Sequence, residues 1–137
     1  MFIHETKVKV RYAETDQMGV VHHGNYALYY EIARTECFEA CSGITYESME
    51  AAGVMLPLLE LQSKFLKPAL YNQVLTVKCI VRDLPTVRLN VEYEIYNEKD
   101  ELINIGKTVL VFVDKNSRRP CHPPVNFMEG VKKHFTA

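Results

Sequence analysis

Apolar and polar residues alternate along residues 6–15, TKVKVRYAET. The basic side chains share one face of this segment, and the opposite face carries Val8, Val10 and Tyr12, which predicts a half-buried strand. From Gly24 to Ser42 the period becomes helical. One stripe of that helix collects Tyr26, Tyr30, Ala33, Cys37 and Cys41. The pattern therefore predicts a strand, a loop and then a long helix that Gly43 ends.

Strand patterns dominate the rest of the chain. Residues 54–67, VMLPLLELQSKFLK, predict one long irregular strand with Pro57 near its start. Residues 73–83 and 86–97 alternate, and residues 102–114 are apolar on both faces. In residues 86–97, the side chains predicted to face inward are Val87, Leu89, Val91, Tyr93 and Ile95. Short helices are predicted over residues 45–52, with Thr45 as the cap, and over roughly residues 126–134.

This order of elements predicts an α+β fold in which an antiparallel sheet curls around one long helix. The length of 137 residues fits one domain spanning 1–137. The apolar sheet face is larger than one helix can cover, so we expect a second copy of the chain to cover the remainder.

Composition narrows the function classes. The net charge is −1, from 16 basic and 17 acidic residues, which argues against nucleic-acid or membrane-surface binding. The four cysteines form neither a CxxC motif nor a disulfide framework. The start MFIHETKVKV lacks the apolar core of a signal peptide, and no apolar run reaches membrane-spanning length. We therefore expect a cytoplasmic protein.

The loop before the long helix carries the candidate chemistry. Asp16 lies three residues before Gly19, and the pair His22-His23 directly precedes Gly24. An aspartate here can form an Asx-turn, or it can act as nucleophile or general base. Unpaired amides at the helix start can polarise a carbonyl and stabilise an oxyanion. Such a pair suits hydrolysis of an activated ester such as a thioester.

A metal site is the weaker interpretation of the two histidines. Adjacent residues seldom point at one ion, and neither an HxxxH nor an HExxH spacing is present. A zinc site would need a distant ligand such as Cys121 or His122. We expect no metal and no other cofactor.

The segment YAETDQMGVVHHGNYALYYEIART resembles the signature of the 4-hydroxybenzoyl-CoA thioesterase family, acyl-CoA thioesterases with the hotdog fold. The matching positions are Thr15, Asp16, Gly19, Val20, Val21 and Tyr26. Residues 59–77 and 109–124 are similar to later strands of that family, so the resemblance runs from about residue 7 to residue 124. It implies a hotdog fold, a five-stranded antiparallel sheet wrapped around one long central helix.

The resemblance also implies roles for residues. It implies that Asp16 is the catalytic nucleophile or general base, and that the backbone amide of His23 or Gly24 polarises the carbonyl. The expected products are a free carboxylic acid and CoA. The implied substrate-binding residues are Met18, Gly19, Val20, His22, Asn25, Tyr26, Lys67 and Arg118. Lys67 and Arg118 are the preferred cations for the CoA phosphates among Lys64, Lys67, Arg88, Arg118 and Arg119.

Partners and competing functions follow from the same resemblance. We expect an acyl-CoA substrate, or a thioester of an acyl-carrier protein, bound by a homodimer or by a tetramer built as a dimer of dimers. Hotdog-fold hydratases are one alternative, but their D-x-N-P-x-H pattern is absent, because His22 comes six positions after Asp16 instead of five and no Asn-Pro lies between them. A non-catalytic module that binds acyl thioesters is the other alternative.

Overall fold

The computed structural model describes residues 1–135. Short 3-10 turns at Tyr12–Glu14 and His23–Asn25 flank the loop that precedes the long helix. The strands are β1 (Phe2–Lys9), β2 (Val54–Met55), β3 (Leu58–Phe65), β4 (Val74–Val81), β5 (Arg88–Tyr96), β6 (Leu102–Val111) and β7 (Val113–Asp114). The helices are α1 (Tyr26–Ser42), α2 (Tyr46–Ala51) and α3 (Val125–Lys132).

Five strands form one antiparallel sheet in the order β1-β4-β5-β6-β3, while β2 and β7 pair separately. This architecture confirms the predicted α+β fold with a five-stranded sheet around one helix. The prediction of one strand over residues 54–67 was wrong, because Leu56 and Pro57 interrupt it and divide it into β2 and β3. Val54 and Met55 pair with β7, whereas residues from Leu58 onward pair with β6.

The predicted stripe of α1 is buried against the sheet, as the helical periodicity indicated. Tyr30 stacks on Tyr93 of β5, with ring centroids 4.4 Å apart. Gly106 of β6 makes room for this phenol, because any Cβ there would overlap the Tyr30 ring. The helix ends at Gly43, whose φ of 80° lies in the left-handed region. Thr45 caps α2 by accepting a hydrogen bond from the Ser48 amide.

The strand β3 forms one edge of the sheet. Its exposed apolar side chains are Leu58, Leu59, Leu61 and Phe65. Long apolar edges of this kind are sites where another chain can pair. No helix within residues 1–135 combines the length and the apolar character needed to cross a membrane.

Candidate active site

The loop between β1 and α1 closes on itself around Asp16. The Asp16 amide donates to the Val20 carbonyl at 2.8 Å, and Thr15 and Val21 form an antiparallel bridge. Gly19 donates back to the Asp16 carbonyl at 3.0 Å and has a φ of 77°. This left-handed conformation favours glycine, so the residue type at position 19 allows the tight loop to form.

The Asp16 carboxylate is exposed and takes part in its own turn. Its Oδ1 accepts a hydrogen bond from the Met18 amide at 2.8 Å, which is an Asx-turn, and the Val20 amide lies 3.4 Å away. Among the described residues, no group donates a hydrogen bond to Oδ2. The side chain therefore forms a turn with one oxygen and leaves the second oxygen available.

The two histidines form the 3-10 turn that starts the helix. His22 Nδ1 accepts a hydrogen bond from the Gly24 amide at 3.1 Å, so this amide already has a partner. Within residues 1–135, the His23 amide meets no acceptor. The two imidazole rings stack with centroids 4.2 Å apart. No cluster of three or more potential metal ligands occurs in the described part of the chain.

Glu14 is a buried carboxylate directly beneath this loop. Its Oε1 accepts hydrogen bonds from the Arg11 amide and the Tyr29 hydroxyl, both at 2.9 Å, and Oε2 pairs with the Arg11 guanidinium. Burial raises the pKa of this carboxyl, but the hydrogen bonds from Arg11 and Tyr29 outweigh burial and hold the pKa below its ordinary value. Glu14 is therefore ionised at neutral pH.

The main chain of Glu14 holds the other side of the loop. Its carbonyl accepts a 2.9 Å hydrogen bond from the His22 amide and a 2.8 Å bond from the Asn25 side chain. One residue thus connects the end of β1, the exit of the Asp16 loop and the first turn of α1. The relative position of Asp16 and His23 depends on these contacts.

A surface cleft lies between this loop, the start of α1 and the end of β3. Its lining residues are Asp16, Val20, Val21, His23, Tyr26, Phe65, Leu66, Lys67 and Pro68. The Tyr26 and Phe65 rings meet edge to face, with centroids 5.0 Å apart. The lining of the cleft therefore combines the acidic Asp16, His23 at the helix start and the cationic Lys67 with apolar residues.

Five predicted site residues belong to this lining, and the others lie outside it. The residues in the cleft are Asp16, Val20, His23, Tyr26 and Lys67. The predicted residues outside the lining are Met18, Gly19, His22, Gly24, Asn25 and Arg118. Met18 is 83% exposed on the outside of the loop, whereas the Asn25 side chain is held by Glu14.

The two preferred cations lie at opposite ends of β3. Lys67 follows the end of β3 and pairs with Glu101. Arg118 has a φ of 63° in the turn after β7, which lies beside the beginning of β3. Seven steps of about 3.3 Å make β3 roughly 23 Å long, so the two cations of one chain lie toward opposite ends of this strand.

Phe65 and Glu14 were not predicted from the sequence. Phe65 has the character of an ordinary strand aromatic, and only the pairing of β3 with β6 brings it to Tyr26. For Glu14 a local signal was present, the i, i+3 spacing to Arg11. Its partner Tyr29 is fifteen residues away, so the burial of Glu14 depends on tertiary packing.

Comparisons with known proteins agree with this architecture. The sequence profile of the thioesterase-like superfamily matches residues 10–133, so the chain belongs to this superfamily. A putative acyl-CoA thioesterase of Bacillus subtilis, YneP, is 34% identical over 120 residues, which cover 88% of this chain and 86% of the relative. The crystal structure of the DHNA-CoA thioesterase of Staphylococcus aureus is 36% identical with a TM-score of 0.84, and the match covers 89% of this chain and 81% of that one.

A third relative is named for thioesters of acyl carrier protein instead of CoA. The acyl-acyl carrier protein thioesterase ATL3 of Arabidopsis thaliana is 33% identical over 133 residues, which cover 96% of this chain and 67% of the relative. Together these matches confirm the family resemblance and the hotdog fold expected from the Asp16 segment.

Proposed function

We propose that this protein is an enzyme that hydrolyses acyl-CoA thioesters to a free carboxylic acid and CoA. The observation that carries the proposal is one cleft whose lining includes both Asp16, which has a carboxylate oxygen without a partner, and His23, whose amide has no acceptor within residues 1–135. The names of the relatives support the same reaction class, since YneP and the S. aureus protein are both described as CoA thioesterases.

In the proposed mechanism, the His23 amide donates a hydrogen bond to the thioester carbonyl oxygen. This amide precedes α1, so the partial positive charge of the helix N-terminus adds to the polarisation. The Gly24 amide is the poorer candidate because His22 Nδ1 already accepts its hydrogen bond. The negative charge that develops on the oxygen in the transition state is therefore stabilised at His23.

Asp16 supplies the second half of the chemistry by one of two routes. In the first, an Asp16 oxygen attacks the carbonyl carbon, the CoA sulfur leaves with the bonding electrons, and water hydrolyses the acyl anhydride. In the second, Asp16 takes a proton from a water molecule whose oxygen attacks the same carbon, and the CoA sulfur again leaves with the bonding electrons. Both routes use the same carboxylate position.

The proposed assembly is a dimer formed by antiparallel pairing of two β3 edges. This pairing covers the exposed leucines of β3 and brings the partner's Arg118 toward the end of the cleft that contains Lys67. The two cations then accompany the CoA phosphates. On the outer face of α1, Leu28 and Ile32 form a second exposed apolar patch, which supports a dimer of dimers.

The test is a hydrolysis screen with purified protein over short, long, branched and aromatic acyl-CoAs, followed by detection of the free acid. We expect release of acid from at least one class, and the Asp16→Asn protein serves as the matched blank. Tight acyl-CoA binding without release of acid would instead support the non-catalytic binding module. Hydration of a 2-enoyl-CoA in the same screen would support a hydratase.

A further inference from the structure

The four backbone amides from His22 to Asn25 differ in their hydrogen bonding. The His22 amide donates to the Glu14 carbonyl at 2.9 Å, and the Gly24 amide donates to His22 Nδ1 at 3.1 Å. The Asn25 amide donates to the His22 carbonyl at 2.9 Å. Within residues 1–135, the His23 amide is the one of these four that meets no acceptor. The direction of its N–H bond is therefore set by the bonds of its neighbours.

The Glu14 carbonyl holds this turn on both sides of His23. Its oxygen accepts a 2.9 Å hydrogen bond from the His22 amide and a 2.8 Å hydrogen bond from Nδ2 of the Asn25 side chain. A carbonyl oxygen has two lone pairs and can accept both bonds. One donor precedes His23 in the chain and the other follows it. The two bonds together therefore fix the short segment that carries the His23 amide.

The acceptor of these two bonds is itself held in place. The Glu14 carboxylate is buried and accepts hydrogen bonds from the Arg11 amide and the Tyr29 hydroxyl, both at 2.9 Å. Tyr29 belongs to α1, so Glu14 is attached through its side chain to the helix whose first turn its carbonyl holds. Asp16 follows Glu14 by two residues. The Glu14 carbonyl is thus a fixed point between Asp16 and the His23 amide.

We propose that Asn25 is a positioning residue for thioester hydrolysis, which holds the His23 amide in place through the Glu14 carbonyl. The inference rests on the proposed function. It gives Asn25 a role other than the substrate binding that the family resemblance implies, because the Asn25 side chain is half-buried, donates to Glu14 and lies outside the lining of the cleft. A donor to an oxyanion must lie about 2.7–3.1 Å from the position where the negative charge develops. A small displacement of the turn therefore weakens binding of the transition state more than binding of the substrate.

The first measurement compares kcat and KM in Asn25→Ala. Complete removal of an oxyanion donor lowers kcat by about 100- to 1000-fold, so we expect a displaced donor to lower kcat by about tenfold. KM should stay within about twofold of the wild-type value, since the lost interaction belongs to the transition state. Thr45→Ala is the matched control, because it also removes a bond between a side chain and the main chain at a helix start, in α2 beyond the other end of α1. We expect this control to lower the melting temperature by a similar amount and to keep kcat.

A double-mutant cycle shows whether Asn25 acts through the His23 amide. His23→Pro removes this N–H, and proline suits the first position of a helical turn after His22, whose ψ of 135° is extended. His23→Ala removes the side chain but keeps the amide. We expect Asn25→Ala to lower kcat by about tenfold when added to His23→Ala, and by less than about twofold when added to His23→Pro.

Two results of the cycle would overturn the inference while leaving the proposed hydrolysis intact. One is an equal loss of kcat on adding Asn25→Ala to either background, which is the result expected of a merely structural role. The other is a His23→Pro protein that keeps the kcat of His23→Ala, since the amide would then have no part in the chemistry.

The order of the His23 amide provides a test that does not depend on hydrolysis. We expect its ¹⁵N order parameter in the free protein to be about 0.85 in the wild type and in Thr45→Ala, and to fall toward about 0.6 in Asn25→Ala. An unchanged value in Asn25→Ala would overturn the positioning role. A fall in the order parameter in a protein that hydrolyses no thioester would instead overturn the proposed function alone.

Discussion

The Tyr29 hydroxyl donates a 2.9 Å hydrogen bond to the buried carboxylate of Glu14, and this bond connects α1 to the base of the Asp16 loop. Tyr29→Phe removes only this hydroxyl. Since the acceptor is charged and buried, we expect a loss of about 1.5–3 kcal/mol in the free energy of unfolding, measured in urea.

A second tyrosine provides the control for this loss. Tyr96 donates a 2.8 Å hydrogen bond to Glu94, and both side chains are only partly buried, so Tyr96→Phe should cost less than the Tyr29 variant, about 0.5 kcal/mol. Equal losses in the two variants would show that the Tyr29–Glu14 bond does not anchor the loop.

Lowering the pH should reduce the stability of the folded protein, because it protonates the Glu14 carboxylate. Its folded pKa is lowered from an ordinary value of 4.5, so the stability it contributes is present above that pH and is lost as pH falls through the folded pKa. Glu14→Gln lacks this contribution. We expect the difference in unfolding free energy between wild type and Glu14→Gln to be constant from pH 7 to about pH 5 and to shrink below about pH 4.5. A difference that stays constant down to pH 3 would contradict the ionised state of Glu14.

Gly19 should matter for activity as well as stability. With a φ of 77° and open space around its Cα, Gly19→Ala introduces backbone strain without a steric clash, at a cost of about 1 kcal/mol. Gly43 has a similar φ of 80° at the far end of α1, so Gly43→Ala is the matched control. We expect similar losses of stability in both variants, but a lower kcat only in Gly19→Ala. Equal kcat values in Gly19→Ala and Gly43→Ala would show that catalysis does not depend on the backbone conformation at Gly19.

Assembly through the β3 edge is tested by sedimentation. We expect the wild type to be a dimer or larger at micromolar concentration. Leu61→Lys places two positive charges near the proposed two-fold axis, and we expect it to produce monomers. Leu28→Lys on the outer face of α1 should leave the dimer intact. A monomeric wild type would contradict both the interface and the proposed role of the partner's Arg118.

The features that could be predicted from sequence are those set by local periodicity. The buried stripe of α1 and the alternation of β5 follow directly from the spacing of apolar residues. The break at Pro57 was missed because it depends on pairing with β6 and β7, more than fifty residues away; the Pro57 carbonyl, for example, accepts a 3.1 Å hydrogen bond from the Val111 amide.

In the candidate site, too, some residues could be predicted from local sequence and others depend on distant contacts. Asp16 and the helix start are close in sequence, so the motif predicts them together. Phe65 and Lys67 reach the cleft only because β3 folds back beside α1. Arg34 illustrates the limit for polar residues, since it is buried on α1 and donates hydrogen bonds to the Tyr93 and Tyr46 hydroxyls. Both tyrosines lie outside α1, so the helical periodicity gives no indication of these contacts.

The most direct test of the central claim is the kcat of Asp16→Asn. An amide keeps the shape and the Asx-turn, but it is neither a competent nucleophile nor a base near neutral pH. Asp114 forms a comparable turn, with Oδ1 accepting from the Asn116 and Ser117 amides, both at 2.9 Å, so Asp114→Asn is the control. We expect Asp16→Asn to lower kcat by at least about 100-fold with little change in KM or melting temperature, and Asp114→Asn to keep kcat. Wild-type turnover by a folded Asp16→Asn protein would remove Asp16 from the chemistry and contradict the proposed mechanism.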